Sequence, residues 1–263
     1  IINFIDPNLI KKFFIELEEI KPKILVVKIN SPGGTVTATS ELETLITNFK
    51  KKTNTEVYFY TNEILTSGGY WIATTADKIF ANYGSIIGSI GVSGPSWYYY
   101  DKPISISSGI LGQSIETENG IQIFDQISGS SKDLYNPFRK PTAKELDHLK
   151  TLINEIYDDF LFKVSNSRKI ELVTLKKEIG ALIFTSKQAK DNYLIDDIMS
   201  FEKLKKKIII DNNYKNYKII HSKSPNNLLG NYLDSYFNRS HLKICNKLNS
   251  NFVSIFPIFL KNC

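Results

Sequence analysis

Glu56-Val57-Tyr58-Phe59-Tyr60 and, six residues on, Thr66-Ser67-Gly68-Gly69-Tyr70-Trp71-Ile72-Ala73 decide how this chain is read. A β-rich run, then a serine with two glycines behind it, then a helix-forming segment describes a strand-to-helix turn that exposes a hydroxyl. The first N–H groups of the new helix have no intrahelical acceptor and point outward. A serine at such a turn can attack a carbonyl while a neighbouring N–H stabilises the resulting oxyanion. The pattern is not the G-x-S-x-G elbow, because Leu65 stands where that motif has glycine. Ser-Gly-Gly ahead of a helix also fits an ordinary N-cap, and this stretch alone leaves both readings open.

Outward from it, strands alternate with helices. Residues 8–20 place Leu9, Ile10, Phe13, Phe14 and Leu17 on one helical face, and Pro22 ends that helix. The β-branched run 24–29 predicts a strand covered on both faces. Asn30-Ser31-Pro32-Gly33-Gly34 is a turn into a helix running through about Phe49, followed by strand 56–60, the serine turn, a helix to about Thr75, and strand 78–81. Residues 84–94 are punctuated by glycine, as in a tight strand pair whose backbones approach closely. Residues 98–131 read as strands and loops, and a long helix runs from Thr142, boxed with Glu145, to about Ser165. Short helices are expected at 171–180 and 186–192 around Leu182-Ile183-Phe184; past Lys203 the pattern loosens, with helix near 228–237. The alternation predicts an α/β fold with mostly parallel pairing, strands 24–29, 56–60 and 78–81 being neighbours.

The chain of 263 residues is 42% hydrophobic and 23% charged, ordinary values for a globular protein. Its charge is unevenly placed: residues 201–263 carry 11 Lys/Arg against 3 Asp/Glu, whereas residues 1–200 carry 22 against 24. A basic C-terminal extension, 201–263, is therefore set apart from a body spanning 1–200. Such an extension suits an anionic membrane surface or nucleic acid, or is merely solvated. Cys245 and Cys263 are too few for a disulfide framework, and no Cys/His cluster has metal-ligand spacing. No apolar run reaches the length of a membrane span; Phe252 to Leu260 is short and broken by Pro257. The sequence begins at Ile1, consistent with a piece of a longer protein.

A nucleophilic serine needs a base. His148, His221 and His241 are scattered in predicted helix and tail, so a Ser-His-Asp arrangement has little support. A lysine can serve instead if burial lowers its pKa toward neutrality, since desolvation disfavours the ammonium. Lys132 lies between a strand-like stretch and the long helix, unlike the runs Lys50-Lys51-Lys52 and Lys205-Lys206-Lys207, but spacing alone does not single it out. Pro32-Gly33-Gly34 is either a plain turn or a place where backbone N–H groups meet a substrate.

Taken in order, Asn30 to Gly34, Thr66 to Ala73, Ala76-Asp77-Lys78-Ile79-Phe80-Ala81, Gly88-Ser89-Ile90-Gly91-Val92, and Lys132-Asp133 with Pro137-Phe138 resemble the signal peptide peptidase A (protease IV) family. These are serine proteases of the Clp-protease/crotonase fold, built of stacked β-β-α units. The likeness covers about residues 1–200, a protease domain, and runs more weakly to about 237. It implies a Ser/Lys dyad with Ser67 as nucleophile and Lys132 as general base, Ser89 orienting the lysine, and an oxyanion hole from Gly33 or Gly34 together with Gly68. It further implies peptide substrates, among them signal-peptide remnants and unfolded chains, with no cofactor, metal or nucleic acid. The expected setting is a homo-oligomer attached to a membrane, its catalytic domain outside the cytoplasm. The family's N-terminal strand and anchor are not evident in this chain, and the basic extension is a second candidate for membrane contact. Around the base this chain has Gly129-Ser130-Ser131-Lys132 where relatives commonly read Gly-Lys-Tyr-Lys, which leaves one candidate lysine. The segment between Val92 and Gly129 is longer than in many relatives. Two other readings share the fold: an inactive scaffold that binds a partner, and a crotonase-type acyl-CoA enzyme, which needs no nucleophile.

Overall fold

The computed structural model describes residues 7–99 and 126–220. The expected helix near 228–237, the apolar run 252–260, both cysteines, His221, His241 and most of 98–131 lie outside them. Among the described residues, those up to Gly91 and from Asp159 onward form one unit, and those from Val92 to Asp158 form a second.

The first unit is organised on the predicted strands. β1 (Ile24–Lys28), β2 (Glu56–Thr61), β4 (Lys78–Ala81) and β7 (Asp197–Ile198) form a sheet in the order β1-β2-β4-β7, every pair parallel. A second sheet holds β3 (Ile64–Thr66), β5 (Ile86–Gly88) and β6 (Ile183–Thr185), with β3 and β5 parallel and β6 antiparallel to β5. This is the mostly parallel α/β architecture of the Clp-protease/crotonase class. β3 is not foreseen in the sequence; it is three residues long and follows β2 after a two-residue turn.

Strand side chains alternate between faces, and each face of the first sheet has its own cover. On one side α1 (Pro7–Ile20) and α2 (Val36–Thr53) contribute buried Phe14, Leu17, Leu42, Ile46 and Phe49, with Phe14 edge-on to Phe49 at 5.2 Å. On the other, Tyr58, Tyr60 and Phe80 enclose Leu204 of α7 (Phe201–Asp211), joined by Ile24, Val26, Met199, Phe201 and Ile208. β1 is an edge strand, and four of its five side chains are only half-buried, less cover than a strand enclosed on both faces would have. α7 replaces the loosened pattern expected past Lys203. Three of its four lysines are exposed while Leu204 alone is wholly buried, so the apolar stripe is too thin to stand out in sequence.

The long helix α4 (Ala143–Arg168) starts at the expected box: Glu145 N–H donates to Thr142 Oγ1 at 3.2 Å, and Thr142 N–H to Glu145 Oε2 at 2.8 Å. Of its apolar residues, Phe160, Leu161 and Val164 are buried, whereas Leu146 and Leu152 are exposed. α5 (Leu172–Thr174) runs into a π-turn over Leu175–Ile179, and α6 (Ser186–Asp191) follows β6.

Leu204→Ala should cost about 2–5 kcal/mol, the range for removing a fully enclosed leucine. Urea unfolding would measure it; a loss under about 1 kcal/mol would mean that α7 is not part of the core.

Candidate active site

Three strand ends converge on Ser67. The parallel register sets Thr66 of β3 beside Gly88 of β5, so Ser67 and Ser89 follow at the same, carboxyl-terminal edge. Ser67 N–H donates to Gly88 O at 2.9 Å. On the other side of β3, Ser31 N–H donates to Ile64 O at 2.8 Å and Thr66 N–H to Ser31 O at 3.0 Å, which brings in the turn after β1. Sites in parallel α/β folds gather at this edge, where strands hand over to loops and helix N-termini.

Ser67 is not an ordinary cap. It precedes α3 (Gly68–Ala73) with φ 53° and ψ −129°, and its side chain makes no capping hydrogen bond. A β-carbon-bearing residue held in this region is strained by about 1–3 kcal/mol, and such strain persists only where the surroundings impose it. Here they do: Ser67 N–H is fixed by Gly88, and Ser67 O accepts from Trp71 N–H at 3.0 Å. Residues 65, 66 and 68–70 are buried, while Ser67 keeps partial exposure. The hydroxyl is thus presented rather than consumed.

The cleft around it is made of backbone. A methyl on Gly33, whose φ is +121°, would lie 2.8 Å from Ser67 Cβ and 3.0 Å from its Oγ. A methyl on Gly68 would lie 2.6 Å from Thr39 Oγ1 and 3.3 Å from Gly34 N. Gly33 N–H is already committed to Ser31 Oγ at 3.1 Å. No acceptor for Gly34 N–H is found among the described residues, and Gly68 N–H heads α3, where no intrahelical carbonyl can take it.

α3 is held from behind. Trp71 Nε1 donates to Glu43 Oε2 at 2.8 Å, Lys163 Nζ meets Glu43 Oε1 at 2.6 Å, and the indole stacks on Phe160 with ring centres 4.9 Å apart. Tyr70 OH donates to Leu194 O at 2.7 Å, and complete burial pushes its phenol well above the usual range. Asn30 Oδ1 accepts from Thr61 Oγ1, Asn62 N–H and Glu63 N–H at 2.9, 3.0 and 3.1 Å, which shapes the turn into β3.

Ser89 has φ 51° and is half-buried; its N–H donates to Leu182 O at 2.7 Å. The close approach expected of residues 84–94 is present, since a methyl on Gly88 would lie 2.6 Å from that same carbonyl.

Lys132 belongs to the second unit and is described there. Its side chain is exposed, in a turn over Gly129–Tyr135, so the burial expected of a lysine base is not provided by the described residues. The next residue, Asp133, and Glu145 of α4 both bind Arg139. Arg139 hydrogen bonds hold the Asp133 carboxyl below its usual range, and with the Thr142 backbone hold Glu145 well below it. His148 sits exposed on α4. Among the described residues no group of three His, Cys, Asp or Glu side chains could hold a metal.

The profile of peptidase family S49 matches residues 49–215. The chain belongs to peptidase family S49. It is 32% identical over 203 residues to a Methanocaldococcus jannaschii protein named "Putative protease", covering 77% of this chain and 60% of that one. A "Putative signal peptide peptidase SppA" of Enterococcus faecium is 28% identical over 192 residues, 72% of this chain and 52% of the relative. Protease 4 of Haemophilus influenzae is 30% identical over 181 residues, 68% and 27% respectively. The chain thus spans little more than half the length of the first two relatives.

Ser67, Ser89 and Lys132 lie inside the S49 match, and the Asn30–Gly34 turn precedes it. Of the residues expected at the site, Ser67, Ser89, Gly33, Gly34 and Gly68 come together in the first unit. Sequence reasoning missed Thr39, Glu43 and the buried Ser31 as parts of its support. Both Thr39 and Glu43 lie on α2, where Thr39 shares the buried face of Leu42, Ile46 and Phe49, and neither stands in a motif that marks it as part of a site.

Gly33→Ala should destabilise this S49 chain by about 1–3 kcal/mol through its backbone angle and the contact with Ser67. Gly34→Ala, with open space at its Cβ, should stay within about 0.5 kcal/mol. Chemical denaturation compares them; equal losses would mean the cleft is not as tight as described.

Acid should loosen the second unit's turn. The folded carboxyls of Asp133 and Glu145 titrate below their ordinary 3.8 and 4.5, so the clamp is intact above that range and is lost as pH falls beneath it. Trp97, whose ring lies 5.1 Å from the Arg139 guanidinium, reports this by fluorescence in a Trp71→Phe background. A midpoint above about pH 5 would rule out the carboxylates as the cause.

Proposed function

We propose that this chain is the catalytic part of a serine endopeptidase using a Ser67/Lys132 dyad. The observation that carries the reading is the strained, non-capping Ser67 beside two backbone N–H groups with no protein acceptor among the described residues. Family membership supports it, as do the names of the relatives.

Ser67 Oγ attacks the scissile carbonyl carbon while its proton passes to the neutral Lys132 amine. Negative charge on the carbonyl oxygen meets Gly34 and Gly68 N–H, Gly33 N–H being held by Ser31. When the C–N bond breaks, Lys132 returns the proton to the leaving amine. Water then attacks the acyl-enzyme with Lys132 again taking a proton, and Ser67 is regenerated. Ser89, one residue past β5 as Ser67 is one past β3, orients the lysine.

The substrates are extended peptides, signal-peptide remnants and unfolded chains among them, cut by a homo-oligomer at a membrane outside the cytoplasm. No helix among the described residues is long and apolar enough to cross a membrane.

Ser67→Ala should abolish fluorophosphonate labelling and peptide cleavage while keeping the fold, and Lys132→Ala should be comparably inactive, since dyad losses do not add. Ser89→Ala should be roughly 5- to 150-fold slower, the worth of one orienting hydrogen bond. Lys140→Ala should resemble wild type. An active Lys132→Ala protein with an essential Lys140 or histidine would overturn the base assignment. Mixing the Ser67→Ala and Lys132→Ala proteins locates the pair: recovered cleavage assigns it to two chains, continued inactivity to one.

A further inference from the structure

The turn that carries Lys132 does not hold itself. No helix or strand covers residues 126–142, and Gly129, Ser131 and Tyr135 have φ of 105°, 59° and 67°. Its internal backbone bonds are few: Lys132 N–H to Gly129 O at 3.3 Å, Leu134 N–H to Ser131 O at 3.2 Å, and Asn136 N–H to Asp133 O at 3.0 Å. Non-glycine residues in the left-handed region persist where the surroundings over-determine them.

Arg139 supplies much of that determination, beside a side-chain hydrogen bond between Ser131 and Glu145. Its Nε and Nη2 grip the two Asp133 oxygens at 2.5 and 2.7 Å, and its Nη1 and Nη2 reach Glu145 Oε2 and Oε1 at 2.9 and 2.8 Å. Glu145 is itself tied into the α4 N-terminus through Thr142 and is only 5% exposed. Trp97 lies against the guanidinium and donates to Asn136 O at 3.0 Å, while its ring meets Tyr135 at 5.4 Å. One planar cation therefore bolts the residue next to Lys132 to the start of a 26-residue helix. It also takes up both nearby carboxylates, and Lys132 forms no ion pair among the described residues. A carboxylate on a lysine favours the ammonium, which is useless as a base.

We infer that Arg139 is a positioning residue for Lys132: it fixes the turn that presents the amine and withholds the neighbouring Asp133 from pairing with it. The inference rests on Lys132 being the base. A misplacement of about 1 Å at a reacting group is worth on the order of 100-fold in rate.

The test is kinetic, on the intact protein with a fluorogenic peptide and with an activated ester, whose leaving group needs no proton. Arg139→Ala should lower kcat on the peptide about 10- to 100-fold while KM stays within about two-fold. Arg139→Lys should restore thermal stability but not kcat, because a single ammonium does not reproduce the fork; it also keeps the test decisive if the alanine variant fails to fold. In a Lys132→Ala background, adding Arg139→Ala should leave the residual ester hydrolysis unchanged, since a residue acting through the lysine has nothing left to position. The inference is overturned if Arg139→Lys keeps wild-type kcat, or if Arg139→Ala costs the same factor with and without Lys132. Full activity in Lys132→Ala alone would instead sink the dyad on which it rests.

Discussion

Two backbone hydrogen bonds hold the site together: Ser31 N–H to Ile64 O, and Thr66 N–H to Ser31 O. They form the parallel bridge between the four-stranded sheet and the three-stranded one. Without them the turn after β1 and the strand before Ser67 would belong to separate layers, and the glycines would have no serine to face. Ser31 contributes from three sides at once. Its N–H and carbonyl make the bridge, its hydroxyl takes the Gly33 N–H, and its Cβ closes against Gly69, where a methyl would sit 2.7 Å away. Asn30, one residue earlier, shapes the turn that delivers β3 to the bridge.

That bridge explains how the strain at Ser67 is sustained. The serine is flanked by fully enclosed Leu65 and Tyr70, and the helix that begins after it is anchored through Trp71 to Glu43, Lys163 and Phe160. The Glu43–Lys163 pair is partly buried and has the indole N–H as a third member, so neither charge is left unpaired on desolvation. Packing and polar satisfaction act on the same short helix, and the unfavourable backbone angle is small beside them.

Much of this was legible in the sequence, for physical reasons that also mark where legibility ends. β1, β2 and β4 are short runs of β-branched and aromatic residues, and their neighbour relations followed from strand–helix alternation. β3 was not, because Ile64-Leu65-Thr66 is too brief to show a period and exists only through its partners Ser31 and β5. α7 escaped because four of its eleven residues are lysine and a single leucine enters the core. At the site the identity of Ser67 was readable and its backbone angle was not; an N-cap and a presented nucleophile share the same letters. Arg139 stood in plain view beside a recognised motif, yet nothing in its spacing says that it reaches both Asp133 and Glu145.

The cleft beside Ser67 has almost no side chains of its own, and this sets an asymmetry in how it can be damaged. Gly33, Gly68 and Gly69 contribute space and amide groups, and a methyl on any of them would come within 3 Å of a neighbour. Amides do not titrate in the working range, do not oxidise, and are present with every residue except proline. Drift in the surrounding composition can therefore erode or replace neighbouring side chains with little effect on the donors themselves. Lesions at the cradle arise by gain of atoms rather than by loss, so its tolerance to substitution is set by steric room and hardly at all by chemical kind.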